Sequence, residues 1–202
     1  DAPFRRSKPG VVKTPTTPNE SPRNWLKNCR RITASASETY RSRLSPDPCR
    51  PTTASCHRFC SDAGPLGDLC HSNARIQAKV ASWQAQVQAN GDIVYVPEVA
   101  DFELRRKLLH LVARQQANPQ SISRLDQLGQ TFDYLPVTTE MWRVAAQLWA
   151  KSRLHGQPTG AELELDADLL LAAQALAVGG TVITTNAGHL ARHVSVIDWT
   201  SV

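Results

Sequence analysis

Long apolar runs are missing from this sequence. Its 202 residues contain no uninterrupted apolar stretch of 18 or more, which is about the length that a membrane-spanning helix needs. Residues 1–30 also lack the apolar segment found at the centre of a secretory signal. The sequence therefore predicts no membrane-spanning helix and no secretory signal.

Cysteine is absent after residue 70. An odd number of cysteines in a poorly structured region argues against a disulfide scaffold. Cys56-His57, Cys60 and Cys70-His71 offer the thiolate and imidazole ligands that zinc prefers, but their spacing matches no standard zinc motif. A cysteine-free remainder suits the reducing cytoplasm, which is the predicted location. The five cysteines are Cys29, Cys49, Cys56, Cys60 and Cys70.

Basic residues are concentrated in the N-terminal part of the chain. Residues 1–61 hold 12 Lys or Arg against 4 Asp or Glu, a net charge of +8, and 8 of the 13 prolines. Residues 62–202 hold 11 against 14, a net charge of −3. A segment rich in charge, Pro, Ser and Thr buries too little apolar surface to fold. We therefore predict a disordered basic tail over residues 1–58, either merely solvated or weakly phosphate-binding, and a folded domain over residues 59–202.

Helical and strand patterns alternate after residue 73. Ile76, Val80, Trp83 and Val87 recur at helical spacing, and Asn90-Gly91 ends that helix. Short apolar runs predict strands, and caps predict helix starts at Ser121 and at either Thr138 or Thr139. Strands that alternate with helices indicate an α/β fold of three layers with a central parallel sheet. The predicted strands are residues 93–96, 132–137, 181–185 and 194–197, the second of them at a sheet edge.

Four polar residues stand at strand ends or shortly after them, where sites form in such sheets. They are Asp62, Glu103, Asp168 and Asn186. Each also has a structural explanation: Asp62 as part of a turn, Glu103 as an ion-pair partner of Lys107, Asp168 beside a helix N-terminus, and Asn186 as a cap. Carboxylates collected at one edge would bind a hard cation such as Mg²⁺, which takes oxygen ligands. The ion would then polarise a phosphoryl oxygen and activate a bound water.

The motifs around these residues resemble those of PIN domains, in the right order over about residues 60–200. They are DAGPLG from Asp62, VPEVADFELRR from Val96, DLLLAAQAL from Asp168 and TTNAGHL from Thr184. The likeness is greatest to VapC-type toxins and their cyanobacterial relatives. It is most specific in the last two motifs, because DLLLAA is followed at a short distance by Thr-x-Asn-x-x-His.

The resemblance implies a metal-dependent endoribonuclease that uses Mg²⁺ or Mn²⁺ on RNA. Asp62, Glu103 and Asp168 would form its acidic metal site, with Asn186 at the fourth, often acidic, position. Asp166 is a second metal-ligand candidate, although the helical period turns it away from Asp168, and it could instead be an N-cap. A homodimeric toxin restrained by a separate antitoxin is the implied biological role. Arg105, Arg106, Lys151, Arg153 and Arg192 are possible phosphate contacts.

One departure from the family pattern concerns the first strand. Residues 54–61 (ASCHRFCS) make a poor central strand, so we expect an unstable domain or a malformed metal site. This keeps a second class of function open, a catalytically inactive PIN-like binding module whose acidic residues only cap helices. A phosphatase-like α/β hydrolase is less compatible, because the sequence lacks an Asp-x-Asp pair after the first strand and a suitable lysine.

Overall fold

The computed structural model describes residues 56–156 and 166–202. The predicted disordered tail, residues 1–58, lies outside these ranges except for its last three residues. Five strands and seven helices form in the described ranges. In chain order they are β1 (Arg58–Ser61), α1 (Ala63–Cys70), α2 (Ala74–Asn90), β2 (Ile93–Pro97), α3 (Glu98–Ala113), α4 (Gln120–Thr131), β3 (Asp133–Leu135), α5 (Thr139–Leu154), α6 (Ala167–Val178), β4 (Thr181–Thr184), α7 (Ala187–Leu190) and β5 (Val196–Asp198), with a 3-10 turn at Trp199–Ser201.

The five strands form one parallel sheet. Their order is β3-β2-β1-β4-β5, and each of the four neighbouring pairs is parallel. Helices lie on both faces of the sheet. Successive side chains of a strand point to opposite sides, so each strand can contribute to a core on either face. In β2, Val94 and Val96 enter one apolar core while Tyr95 enters the other. The predicted three-layer α/β fold with a central parallel sheet is confirmed.

The two cores use different helices. One core packs α5 and α6 against the sheet, and α6 is buried on nearly every face. The other joins α1, α2, α3 and α4 to the opposite face and includes Trp83, which meets Trp199 edge to face at 5.2 Å between ring centroids. Helix α3 contributes to both cores: Val99 packs in the core with α5 and α6, and Leu104 packs in the core with α1, α2 and α4. It therefore lies where the two helical layers meet.

Helix ends follow the local sequence in most places. Gly91 ends α2 in the left-handed conformation, with φ of 69°, which glycine adopts without steric cost. The Thr138 hydroxyl accepts a hydrogen bond from the Met141 amide at 3.2 Å and caps α5. The predicted Ser121 cap is wrong, because α4 begins one residue earlier and the Asn118 side chain accepts from the Gln120 amide instead.

The first strand occupies the centre of the sheet, contrary to the prediction that it makes a poor central strand. It pairs with both β2 and β4, and Cys60 and Ser61 are buried. Backbone pairing between strands does not require large apolar side chains. The small side chains of β1 fit here because the segment that contains Gly180 packs closely against the strand. A Cβ at Gly180 would lie 3.2 Å from both the Arg58 carbonyl oxygen and the Cys60 sulfur.

The cysteines do not form a zinc site in the part of the chain that the structure describes. Cys56 is disulfide-bonded, whereas Cys60 and Cys70 are free and buried. Burial raises the pKa of both of these thiols to about 12, which disfavours their thiolate forms. One disulfide-bonded cysteine does not make a scaffold, so the expectation of no disulfide scaffold stays a prediction.

Candidate active site

Asp62 stands directly after the central strand, at its carboxyl end. Its Oδ1 accepts a hydrogen bond from the Ala63 amide at 2.6 Å, which makes Asp62 the N-cap of α1. Its Oδ2 accepts from the Thr184 hydroxyl at 2.7 Å, and its own amide donates to the Ile183 carbonyl at 2.9 Å. The carboxylate is thus fixed in orientation between the ends of two strands. The alternative of an isolated turn is wrong, because residues 63–70 are helical.

Glu103 lies on the second turn of α3, and its side chain is 28% exposed. Burial raises the pKa of its carboxyl, and the charge of Asp62 raises it further. Asp168 acts in the same direction, while Arg106 opposes both. Arg106 Nη2 lies 3.3 Å from Glu103 Oε1. The ion pair of Glu103 is therefore with Arg106 and not with Lys107 as the structural alternative supposed.

Asp166 and Asp168 take different positions at the start of α6. Asp166 is the N-cap, and its Oδ1 accepts from the Leu169 amide at 3.3 Å. Asp168 is half-buried in the first turn, where burial raises the pKa of its carboxyl and Asp62 raises it next. Asp166 adds to this effect, and His189 lowers it. Asp166 therefore caps the helix, whereas Asp168 interacts electrostatically with Asp62.

The shared partner of Glu103 and Asp168 is Asp62. Each of the two has its pKa raised by the Asp62 charge after burial itself, so Asp62, directly after β1, interacts unfavourably with one acid on α3 and one on α6. Within residues 56–156 and 166–202, no three His, Cys, Asp or Glu side chains are arranged to hold a metal ion. The donor set still fits a divalent cation, because carboxylates that are costly to ionise together are stabilised by a positive charge between them.

Asn186 follows β4 and occupies the N-cap position of the short α7. Its side chain makes no capping hydrogen bond, so capping does not account for it. Its backbone amide instead donates to the Thr184 hydroxyl at 2.9 Å. Thr184 is fully buried. Its hydroxyl also donates to Asp62, so this one side chain connects Asn186 to Asp62.

Gln174 and Thr184 lie in the motifs DLLLAAQAL and TTNAGHL, but the sequence analysis assigned neither of them a role in the site. The buried Gln174 side chain donates to the Leu135 carbonyl and accepts from the Val99 amide at 3.3 Å. It ties α6, which carries Asp168, to the start of α3, which carries Glu103. A fully buried amide within the apolar run DLLLAAQAL was the available signal, since a polar group there needs partners.

Arg105 forms ion pairs with two carboxylates outside the candidate site. Its guanidinium lies 2.9 Å from Asp101 and 2.8 Å from Asp126, at a cleft of about 520 Å³ between α3, α4 and β3. Its donors are therefore taken up by carboxylates, which argues against Arg105 as a phosphate contact. Arg106 is 63% exposed and faces the acidic cluster, so it is the better placed of the two.

Comparison with known proteins supports the same fold. Residues 71–194 match the PIN domain family, a range that includes Glu103, Asp168 and Asn186 and begins after Asp62. Comparison with curated proteins finds no significant match. Among residues 56–156 and 166–202, no helix has both the length and the apolar character needed to cross a membrane.

Several solved structures of low sequence identity share the fold. A chain of VapBC2 from Rickettsia felis, solved with a DNA fragment from the promoter, is 14% identical with a TM-score of 0.53 over 70% of this chain and 98% of that one. A chain of VapBC-1 from nontypeable Haemophilus influenzae is 19% identical with a TM-score of 0.54 over 71% and 98%. A chain of FitAcB from Neisseria gonorrhoeae is 22% identical with a TM-score of 0.51 over 69% and 96%. Because the family match covers more than half of the sequence, this chain belongs to the PIN domain family.

Proposed function

We propose that this protein is an endoribonuclease that hydrolyses RNA phosphodiester bonds with Mg²⁺ or Mn²⁺. The observation that carries the proposal is the effect of the Asp62 charge on both Glu103 and Asp168. Asp62 stands at the carboxyl end of the central strand, and we infer that the Glu103 and Asp168 carboxylates meet it at this edge of the sheet, where binding sites of parallel sheets form. The family match supports the nuclease class, while the metal and the RNA substrate belong to the proposal.

The carboxylates would hold the ion as oxygen ligands. Asp62, Glu103 and Asp168 are the proposed ligands, with Asn186 beside them and Asp166 as the outer candidate. When bound, the ion polarises a phosphoryl oxygen and lowers the pKa of a water molecule. The protein supplies the geometry, because Thr184 and the Ala63 amide fix the Asp62 carboxylate. Arg106 offsets the charge of Glu103 and is itself exposed, so we propose it as a phosphate contact.

The biological role that we propose is that of a VapC-like toxin with a separate antitoxin, acting in the cytoplasm as a homodimer. The similar solved structures are VapBC and FitAB complexes by their names, which supports an antitoxin partner for this chain. The homodimer and the location rest on the family resemblance.

A catalytically inactive binding module is the second candidate, and a specific observation favours it. Both carboxylate oxygens of Asp62 already accept hydrogen bonds within the protein, and Asp166 caps a helix. In the described part of the chain no three acidic or metal-binding side chains form a ready site. On this alternative the acids stabilise helix starts, and the surface serves a protein partner.

Substitution of Asp168 by Asn separates the two functions. Asn keeps the shape of the side chain but removes the charge that attracts the ion, so we expect Asp168→Asn to abolish RNA cleavage. Thermal stability measured without metal should change little. If Asp168 only interacts with the helix dipole, the same change should cost about 0.3–1 kcal/mol of stability and leave any activity unaltered.

The cleavage assay needs EDTA and Mn²⁺ arms. EDTA identifies contaminating ribonucleases that work without metal, and Mn²⁺ tolerates amide ligands well enough to restore some activity to the variant. Isothermal titration with Mn²⁺ gives a second readout, in which the binding module predicts no difference between Asp168→Asn and the unmodified chain. Cleavage that survives both EDTA and Asp168→Asn would exclude the proposed mechanism.

A further inference from the structure

The third helix exposes an aromatic ring beside the acidic cluster. Phe102 is 51% exposed, although a phenylalanine normally gains from burial. The guanidinium carbon of Arg106 lies 5.4 Å from the centre of its ring. The same guanidinium reaches Glu103 Oε1 at 3.3 Å. A ring, a planar cation and a proposed site carboxylate are therefore joined on one continuous surface of α3.

We infer that Phe102 and Arg106 form a stacking platform for a base of single-stranded RNA, next to the carboxylates. The inference rests on the proposed function and specifies its substrate class. An exposed aromatic ring stacks on any base, and an arginine plane beside it adds a cation–π contribution. The bases of a duplex are already stacked and paired, so only unpaired bases can use such a platform.

The charge of the folded part favours stacking as a source of affinity. Residues 62–202 carry a net charge of −3, and three of their carboxylates converge at the site, so this surface repels backbone phosphates in the absence of metal. Contacts that do not depend on phosphate attraction therefore add to the affinity for RNA that Arg106 and the basic N-terminal residues can supply. The exposed ring supplies one such contact, and Arg106 supplies the nearest positive charge.

Leu109 allows an RNA occupant to be distinguished from a protein partner. It lies seven residues after Phe102, on the same face of the helix and about 10 Å further along its axis. It is also exposed, at 52%. A protein partner that docks along this face would cover both side chains, whereas a base stacked beside Glu103 would contact Phe102 alone. Leu109 is therefore the matched control for Phe102.

Binding of RNA in EDTA tests the platform without any catalytic turnover. We would measure the fluorescence anisotropy of a labelled RNA oligonucleotide, single-stranded or annealed to its complement, with the full chain. The unmodified chain should bind the single strand more tightly than the duplex. Phe102→Ala should weaken single-strand binding about tenfold, Phe102→Trp should retain it, and Leu109→Ala should leave it unchanged.

The opposite results overturn the platform. Unchanged binding by Phe102→Ala, or a preference for the duplex, would exclude stacking on this ring. An equal loss in Phe102→Ala and Leu109→Ala would show that RNA binding depends on the whole exposed face of α3 and not on one stacked base, which also overturns the platform. If the unmodified chain cleaves RNA with Mn²⁺ but Phe102→Ala binds normally, only the platform fails. If the unmodified chain neither binds nor cleaves RNA, the proposed function fails with it.

Discussion

The Thr184 hydroxyl connects the two halves of the candidate site through a single oxygen. It donates to Asp62 at 2.7 Å and accepts from the Asn186 amide at 2.9 Å, in a fully buried position. A hydrogen bond to a charged acceptor in such a place is stronger than one between neutral groups. Without the hydroxyl, Asp62 and the Asn186 amide would each lose a partner that water cannot easily replace.

Substitution of Thr184 by Val should therefore destabilise the domain with little change in side-chain volume. We expect the free energy of unfolding to fall by about 1–3 kcal/mol, measured by urea denaturation at neutral pH. Thr181→Val at the other end of the same strand is the control, because its environment is only half-buried. Equal effects of the two substitutions would mean that β-strand packing, and not the hydroxyl, explains the loss.

Sequence reasoning located the acids of this site but not the groups that position them. Asp62, Glu103 and Asn186 could be identified because they follow strands and match family motifs, whereas Asp168 follows helix α5 among the described elements and was identified by its motif alone. Thr184 begins the last of these motifs, but its role could not be predicted, because it depends on a partner 122 residues away. Pairing between distant side chains leaves no local pattern in a single sequence. The spatial grouping of all four predicted residues stays a prediction, supported by the electrostatic effect of Asp62.

At the scale of elements, helix α6 is held to its neighbours by a buried amide. Gln174 bonds to the Leu135 carbonyl at the end of β3 and to the Val99 amide at the start of α3. Both are backbone groups at the carboxyl edge of the sheet, so this side chain sets the distance between the helices that carry Glu103 and Asp168. The apolar run DLLLAAQAL is typical of a buried helix, and the single amide within it was a signal that it needs partners, but the sequence did not say which ones.

Replacement of Gln174 by Leu should leave two buried backbone groups without partners. We expect a loss of about 1–3 kcal/mol in unfolding free energy for each of them, measured by urea denaturation. Gln147→Leu is a matched control on α5, because Gln147 Oε1 is buried with no hydrogen-bond partner, and its removal should cost little or even stabilise. Similar losses at the two positions would contradict the role assigned to Gln174.

Helices and strands with a regular spacing of apolar residues could be predicted from the sequence. Elements that depend on contacts or pairing with other elements could not. Helix α2 and strand β2 follow from apolar spacing and from their Gly91 and Pro97 ends. Helix α1 was not expected, because its sequence AGPLGDLC holds two glycines and a proline. Contacts with α3 and the sheet stabilise it; a Cβ at Gly67 would lie 3.6 Å from Leu104. Strand β1 was judged by its own side chains, whereas its position is set by pairing on both sides.

For the whole molecule, the separation of charge and proline predicts two regions with different protease sensitivity. Residues 1–61 contain 12 Lys or Arg, so trypsin should cut the predicted tail first and leave a core of roughly 15 kDa. Intact-mass analysis and N-terminal sequencing of the product would place its start close to residue 56. A resistant fragment that keeps most of residues 1–55 would show instead that this segment packs on the domain.

The central place of β1 also determines when the site can exist during synthesis. Within the described ranges β1 is made before the other strands, and it joins β2 and β3 to β4 and β5. The hydrogen bond from Thr184 to Asp62, directly after β1, spans 122 residues. At ordinary rates of translation that interval lasts roughly 6–24 s. Until Thr184 has emerged from the ribosome, Asp62 has no fixed orientation and the nascent chain cannot perform the proposed chemistry. If the proposed function holds, a growing copy would spare the RNA from which it is translated at least until residue 184 is exposed.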